Sequence, residues 1–241
     1  MIIYGINPVL EALKAGRVKE LRVGDRGGER MRQVLALAAE RGVRVRRVPA
    51  AVLDRDAKAG VHQGIVADVE SVSTYSVDDL VHGADGPALI VVLDGIEDPH
   101  NLGAILRTAD AAGAHGVVLQ HRRSASLEGA AAKASAGAVA HIKIAEVVNI
   151  ARAVEELKAA GVWTVGLAGE AATTYDAVDF TVPSAVVLGA EGSGLRRLVR
   201  ERCDYLASIP MGGHVGSLNV SVAAGIALFE AVRQRRLKQQ R

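Results

Sequence analysis

Six short runs constrain this chain more than any other feature: residues 88–93, 116–119, 141–144, 162–167, 185–188 and 205–209 are rich in Val, Ile and Leu, and most are apolar on both faces. A strand that can show neither face to water belongs in a parallel sheet covered by helices. Amphipathic or Ala-rich stretches fill the intervals, with helix starts expected near Asn101, Ser126, Asn149, Leu195 and Leu218. This part of the chain is therefore α/β. Hydrophobic residues make up 49% and charged residues 23% of the sequence, enough to bury a core, which excludes a disordered or fibrous protein. A length of 241 residues suits two modest domains.

The segment 1–70 reads as a separate small α/β unit. Asn7 and Pro8 mark a helix start, with Asn7 as N-cap, and Gly16 ends that helix. Met31, Val34, Leu35, Ala38 and Ala39 recur at helical spacing over 29–41. Strands are expected at 20–24, 43–48 and 64–69, the second alternating apolar and basic residues. Residues 71–87 are rich in Ser, Asp and Gly with little apolar periodicity, so they read as a linker, and 88–241 form the second domain. The Ala-rich stretch 129–140 reads as a helix packed close to its neighbours.

The net charge of +2 is uninformative, but residues 1–70 carry 13 Lys and Arg against 9 Asp and Glu. Arg41, Arg44, Arg46 and Arg47 cluster there, and Arg233, Arg235, Arg236, Lys238 and Arg241 close the chain. Solvated faces account for either cluster alone, while a basic segment of this size also suits an RNA phosphate backbone. Aromatic residues are only 3%, which leaves little room for base stacking. No apolar run approaches the ~20 residues of a membrane span, and the start lacks an export signal, so a soluble cytoplasmic protein is expected. The single cysteine, Cys203, offers neither an internal disulfide nor a metal quartet.

Three segments place polar residues where such a fold binds ligands, at the carboxyl ends of strands. In NLGAILRTA, Asn101 is an N-cap or a site residue and Arg107 a surface or a site residue. In LGAEGSGL a buried strand enters a Gly-rich turn that matches neither a P-loop nor a dinucleotide fingerprint, and Glu191 either serves the next helix's N-terminus or acts chemically. In IPMGGHVGSLNVSVA, Ser217 and Asn219 precede the last helix as caps or as site residues.

Taken together, these three segments resemble, in order, the three motifs of the trefoil-knotted (SPOUT) RNA methyltransferases of the TrmH type. IYGINPVLEAL and VHQGIVA resemble the ribosomal-protein-like RNA-binding domain of the subgroup that methylates guanosine riboses in large-subunit rRNA. The resemblance implies a deep C-terminal knot, a homodimer packed through the knotted domains, S-adenosylmethionine as cofactor and large-subunit rRNA as substrate. It also implies backbone contacts to the cofactor at Gly189, Ile209 and Leu218. Catalytic work would fall on Asn101, Arg107, Glu191, Ser217 and Asn219. A guanidinium does not deprotonate in proteins, so Arg107 is read as a positive clamp on the nucleotide rather than as a base. A tRNA ribose methyltransferase and a non-catalytic RNA-binding assembly factor are the alternatives.

Overall fold

The computed structural model describes every residue except 26, 27, 59, 71–74, 122, 123, 128 and 241. Arg241 of the basic tail and the first four residues of the expected linker thus lie outside the described residues. The chain divides into two compact units, one comprising Met1–Val72, Leu102–Arg107 and Ser126–His141, the other Ser73–Asn101, Thr108–Ala125 and Ile142–Arg241.

The first unit holds β1 (Ile2–Tyr4), α1 (Ile6–Lys14), β2 (Val18–Val23), α2 (Glu29–Glu40), β3 (Arg44–Arg47), α3 (Ala50–Asp56) and β4 (Ile65–Val69). Its sheet runs in the order β1-β4-β2-β3, antiparallel except for the β2–β3 pair. Leu21, Val34, Leu13 and Ile65 are fully buried within it. Helix α1 starts one residue before Asn7: Gly5 takes the N-cap position, and the Gln63 side chain accepts the Ile6 N–H at 2.9 Å. Asn7 is therefore inside the helix, because a distant amide supplies the cap. All four residues of β3 are exposed at the sheet edge, where Arg44, Arg46 and Arg47 oppose strand addition by another chain, Arg46 pairing with Glu20 at 3.4 Å.

The Ala-rich stretch is not one helix. It comprises α6 (Ala130–Ala134) and a 3₁₀ turn at Ala138–Ala140, broken where Ala136 (φ 52°) and Gly137 (φ 100°) leave the helical region. It does pack closely. A Cβ on Gly103 would lie 2.4 Å from Ala134 Cβ and 2.6 Å from the Ala131 carbonyl oxygen. Arg17 Nη1 donates to the carbonyls of Val139 and Ala140 at 3.2 and 3.1 Å.

The second unit is built on seven parallel strands in the order β7-β6-β5-β10-β8-β11-β9. They are β5 (Leu89–Asp94), β6 (Gly116–Gln120), β7 (Ile144–Val147), β8 (Trp163–Leu167), β9 (Thr173–Thr174), β10 (Ser184–Gly189) and β11 (Tyr205–Ser208). The fold class read from the apolar runs holds, with one shift: the third run becomes a strand only at Ile144, because the 3₁₀ turn occupies the chain just before it. The chain moves outward from β5 through β6 to β7, then returns to the other side of β5 for β8. That reversal opens a crevice at the carboxyl ends of β5 and β10.

The helices are α4 (Val77–His82), α5 (Pro99–Ala111), α7 (Ile150–Ala159), α8 (Arg197–Arg202) and α9 (Val220–Gln239), α5 contributing residues to both units. Helix α4 lies inside the stretch read as a linker. Ser76 and Asp79 form a reciprocal capping box, and Val77 and Leu80 join the core of this unit. Three residues of the basic tail make protein contacts. Arg235 donates to the carbonyls of Pro87, Ala88, Phe180 and Val182, and burial pushes its pKa down; Arg233 pairs with Glu230 at 2.7 Å, and Lys238 Nζ donates to Thr181 Oγ1 at 3.2 Å. Burial pushes the Cys203 thiol up to about 12, and its Sγ donates to the Val199 carbonyl at 3.3 Å. Among the described residues no helix is long and apolar enough to cross a membrane.

Candidate active site

At the carboxyl ends of β8, β10 and β11 lies a cleft of about 670 Å³. Gly189, Glu191, Ile209, Ser217, Leu218 and Asn219 all line it, so six of the eight expected site residues converge there. Its size falls in the ~300–1,000 Å³ range of small-molecule sites. A second cleft of about 440 Å³ lies beyond the 190–194 turn and shares Ala190, Glu191, Ser193, Gly194 and Val220 with the first. Asn101 lines this second cleft. Arg107 lines neither; it is exposed, six residues or ~9 Å along α5 from Asn101, and among the described residues its guanidinium has no partner.

The turn between the clefts is set by glycine. Ala190 and Gly194 exchange two backbone hydrogen bonds, at 3.1 and 2.9 Å, and Gly192 and Gly194 take φ of 78° and 65°. Its return leg crosses Gly189 so closely that a Cβ there would lie 2.1 Å from the Gly194 carbonyl carbon and 2.3 Å from Leu195 N. No other residue fits at 189 without displacing backbone.

Asn219 joins the three polar segments. Its Nδ2 donates to Asn101 Oδ1 at 2.9 Å and to Glu191 Oε1 at 2.8 Å, and its Oδ1 accepts from Ser221 N and Oγ at 2.9 and 2.6 Å. Both amide hydrogens and the amide oxygen are thus engaged, which fixes the orientation of the side chain. Asn219 is also the N-cap of α9, so structural and site roles coincide in one residue. For Asn101 they do not: α5 starts at Pro99 with Asp98 as N-cap, leaving the buried Asn101 side chain to face Asn219. Glu191 serves no helix N-terminus; α8 starts at Arg197, with Arg196 as its cap residue.

Two site-lining residues escaped the sequence reading. Asp94 ends β5 and its side chain is fully buried; its carboxylate accepts from Arg196 N at 2.8 Å and Arg196 Nε at 2.6 Å. An acid closing an otherwise apolar buried strand was the available signal for Asp94. Nothing in the local sequence distinguishes Arg196 from its neighbour Arg197.

A parallel sheet with a Gly-rich turn dividing two clefts, and an amide network that ties three separated segments across it, defines an α/β protein with a two-sided ligand site. The sequence narrows this to a family. Residues 88–229 match the SpoU rRNA Methylase family, and residues 2–75 match the RNA 2′-O ribose methyltransferase substrate-binding family. The chain belongs to the SpoU methylase family. It is 46% identical over 242 residues to the 23S rRNA (guanosine-2′-O-)-methyltransferase RlmB of Pseudomonas syringae, covering 98% of this chain and 96% of that one. Its structure is similar to the SpoU methyltransferase AviRb of Streptomyces viridochromogenes in complex with AdoMet, with TM-score 0.83 and 28% identity over 98% of this chain and 91% of that one. An AdoMet-bound rRNA methyltransferase from Sinorhizobium meliloti gives TM-score 0.79 and 31% identity over 96% and 86%.

Proposed function

We propose that this protein transfers a methyl group from S-adenosylmethionine to the ribose 2′-hydroxyl of a guanosine in 23S rRNA, in the cytoplasm and as a homodimer. One observation carries the reading: Asn219 holds Asn101 and Glu191 together at the wall between two clefts, where a donor on one side can meet an acceptor on the other. The larger cleft fits the cofactor. Gly189, Ile209 and Leu218 offer backbone groups that read adenine without a charged side chain, and Gly189 leaves no Cβ between strand and turn. The family's trefoil knot belongs to the same proposal.

When bound, the cofactor supplies an electrophilic methyl group on a sulfonium. The chain's own task is to hold a weak nucleophile in line and to stabilise the charge that develops on it. Asn101, Glu191 and Asn219 form the rigid wall against which the nucleotide is oriented, and Ser217 lies beside them in the cofactor cleft. Arg107 supplies positive charge toward phosphate and nascent alkoxide.

Mapping 2′-O-methyl groups in rRNA and tRNA from cells with and without this protein tests the proposal. Loss at one guanosine of 23S rRNA is expected. Loss confined to tRNA overturns the substrate. No loss, together with no S-adenosylmethionine binding, leaves an assembly factor.

Residues 1–70 serve as the RNA-capturing domain and 88–241 as the methyltransferase domain, whose core is joined by helix α4. Deleting 1–70 is a poor test, because α1 packs on the 3₁₀ turn at Ala138–Ala140 and would leave it uncovered. Changing the exposed Arg44, Arg46 and Arg47 of β3 to Gln avoids this. The variant should bind rRNA fragments more weakly, with the log–log salt slope reduced by roughly 0.7–0.9 per lost phosphate contact. An unchanged slope would remove β3 from the RNA surface.

On α9, Val220, Ala224, Ala227 and Leu228 are buried in the chain itself, and Ala223 lines the cofactor cleft, so none of them is available to a second copy. Exposed instead on α9 are Val222, Phe229 and Leu237, each about half accessible and seven and eight residues apart, hence on one face. Sedimentation at micromolar concentration should show a dimer, and Phe229→Asp should yield monomers that still bind cofactor. A wild-type monomer would refute the assembly.

A further inference from the structure

Arg196 is held more rigidly than a solvent-facing arginine needs to be. The buried Asp94 takes its Nε and pairs with its Nη2, and Nη2 also donates to Gln120 Oε1 at 2.8 Å. Of five guanidinium N–H groups three are spent, and among the described residues both hydrogens on Nη1 have no partner. Burying a carboxylate carries a desolvation cost that only a well-formed pair offsets. Here the pair fixes the plane of a cation that lines the second cleft.

That cleft is otherwise acidic: Glu97, Asp98 and Glu191 line it with Asp94 and Asn101. Three carboxylates beyond the one already neutralised by Arg196 would repel a phosphate. They would not repel a neutral base that brings N–H donors. Guanine alone among the four bases combines a pair of adjacent acceptors, O6 and N7, with N1–H and N2–H₂ donors on its other edge. A fixed guanidinium beside carboxylates that keep acceptor capacity, Asp98 accepting from His100 N and Glu191 from Asn219 through one oxygen each, is the complement of that pattern. Adenine, with a donor at N6, would face Arg196 with the wrong group.

We infer that the second cleft receives the target guanine and that Arg196, oriented by Asp94 and Gln120, is the specificity-determining residue that donates to its O6/N7 edge. This rests on the guanosine reading above. Arg196 contacts the base, while Asp94 is a positioning residue.

The test uses the full-length protein and an rRNA fragment carrying the methylated nucleotide as guanosine, 7-deazaguanosine, inosine or adenosine. The wild type should lose about ten- to a hundredfold in kcat/KM on 7-deazaguanosine, which lacks the N7 acceptor. Arg196→Met should lose a similar factor on guanosine and show little further loss on 7-deazaguanosine, while its penalty for inosine, altered only at the other edge, stays that of the wild type. S-adenosylmethionine affinity, measured by calorimetry, should be unchanged, since Arg196 does not line the cofactor cleft. A wild type indifferent to 7-deazaguanosine overturns the inference without needing any variant to fold. So does an Arg196→Met variant that keeps the full 7-deazaguanosine penalty; Arg196 would then only fasten α8 to β5. If the wild type methylates no guanosine fragment, the guanosine reading and this inference fail together, and the two failures are thus distinguishable.

Discussion

Arg107→Lys is expected to lower the methylation rate by at least about a hundredfold at every pH while leaving S-adenosylmethionine affinity unchanged. The substitution keeps the charge and removes the planar fork, so bidentate contact with phosphate or alkoxide oxygens is lost. Arg107 lines neither cleft, which is why cofactor binding should not respond. A base mechanism predicts the opposite pH behaviour. Lysine loses its proton near ~10.4, so a lysine base would recover activity as pH rises toward that value. A flat, low pH–rate profile supports the clamp. A profile that climbs to wild-type rates in alkali refutes it, and loss of cofactor binding would make Arg107 structural.

Gly189→Ala should remove cofactor binding altogether, by more than about a hundredfold in affinity. The added Cβ meets the Gly194 and Leu195 backbone at 2.1–2.4 Å, and backbone cannot yield as the tip of a side chain can. Accommodating it requires the 190–194 turn to move into the clefts it separates, or β10 to shift in its ladder, where Gly189 stands opposite Asp94. Overpacking of this kind costs about 1–3 kcal/mol in stability, so the variant should still fold. Calorimetric titration with S-adenosylmethionine, alongside thermal unfolding, separates the two effects. Near-normal affinity in a folded Gly189→Ala protein would show that the turn does not shape the cofactor cleft.

The capping box at Ser76 and Asp79 was legible in the sequence as S-x-x-D, yet the Ser, Asp and Gly content around it suggested a linker. A six-residue helix buries only Val77 and Leu80, too few positions for a periodicity to emerge. The Ala-rich stretch erred the other way. High helix propensity pointed to one helix, but a close approach to α5 at Gly103 and left-handed residues at 136 and 137 break it. Local propensity is a weak constraint where tertiary packing decides the backbone path.

What the sequence by itself determined was the parallel sheet, whose two-faced apolar strands admit no other environment, and the placing of polar residues such as Glu191 and Asn219 at strand ends; Gly189, Ile209 and Leu218 joined them only through the resemblance to the family's motifs. The sheet and the polar strand ends follow from rules that act within short segments, namely burial on both faces and ligand binding at the carboxyl ends of strands. The tertiary structure alone decided that Asn101, Glu191 and Asn219 meet through one side-chain amide, although 118 residues separate the first from the last. It alone paired Asp94 with Arg196 across 102 residues, and it alone turned Val220, Ala224, Ala227 and Leu228 inward while leaving Val222, Phe229 and Leu237 exposed. Hydrogen bonds and packing between distant segments depend on how the elements come to lie against one another, and residue type and spacing along the chain carry no record of that arrangement.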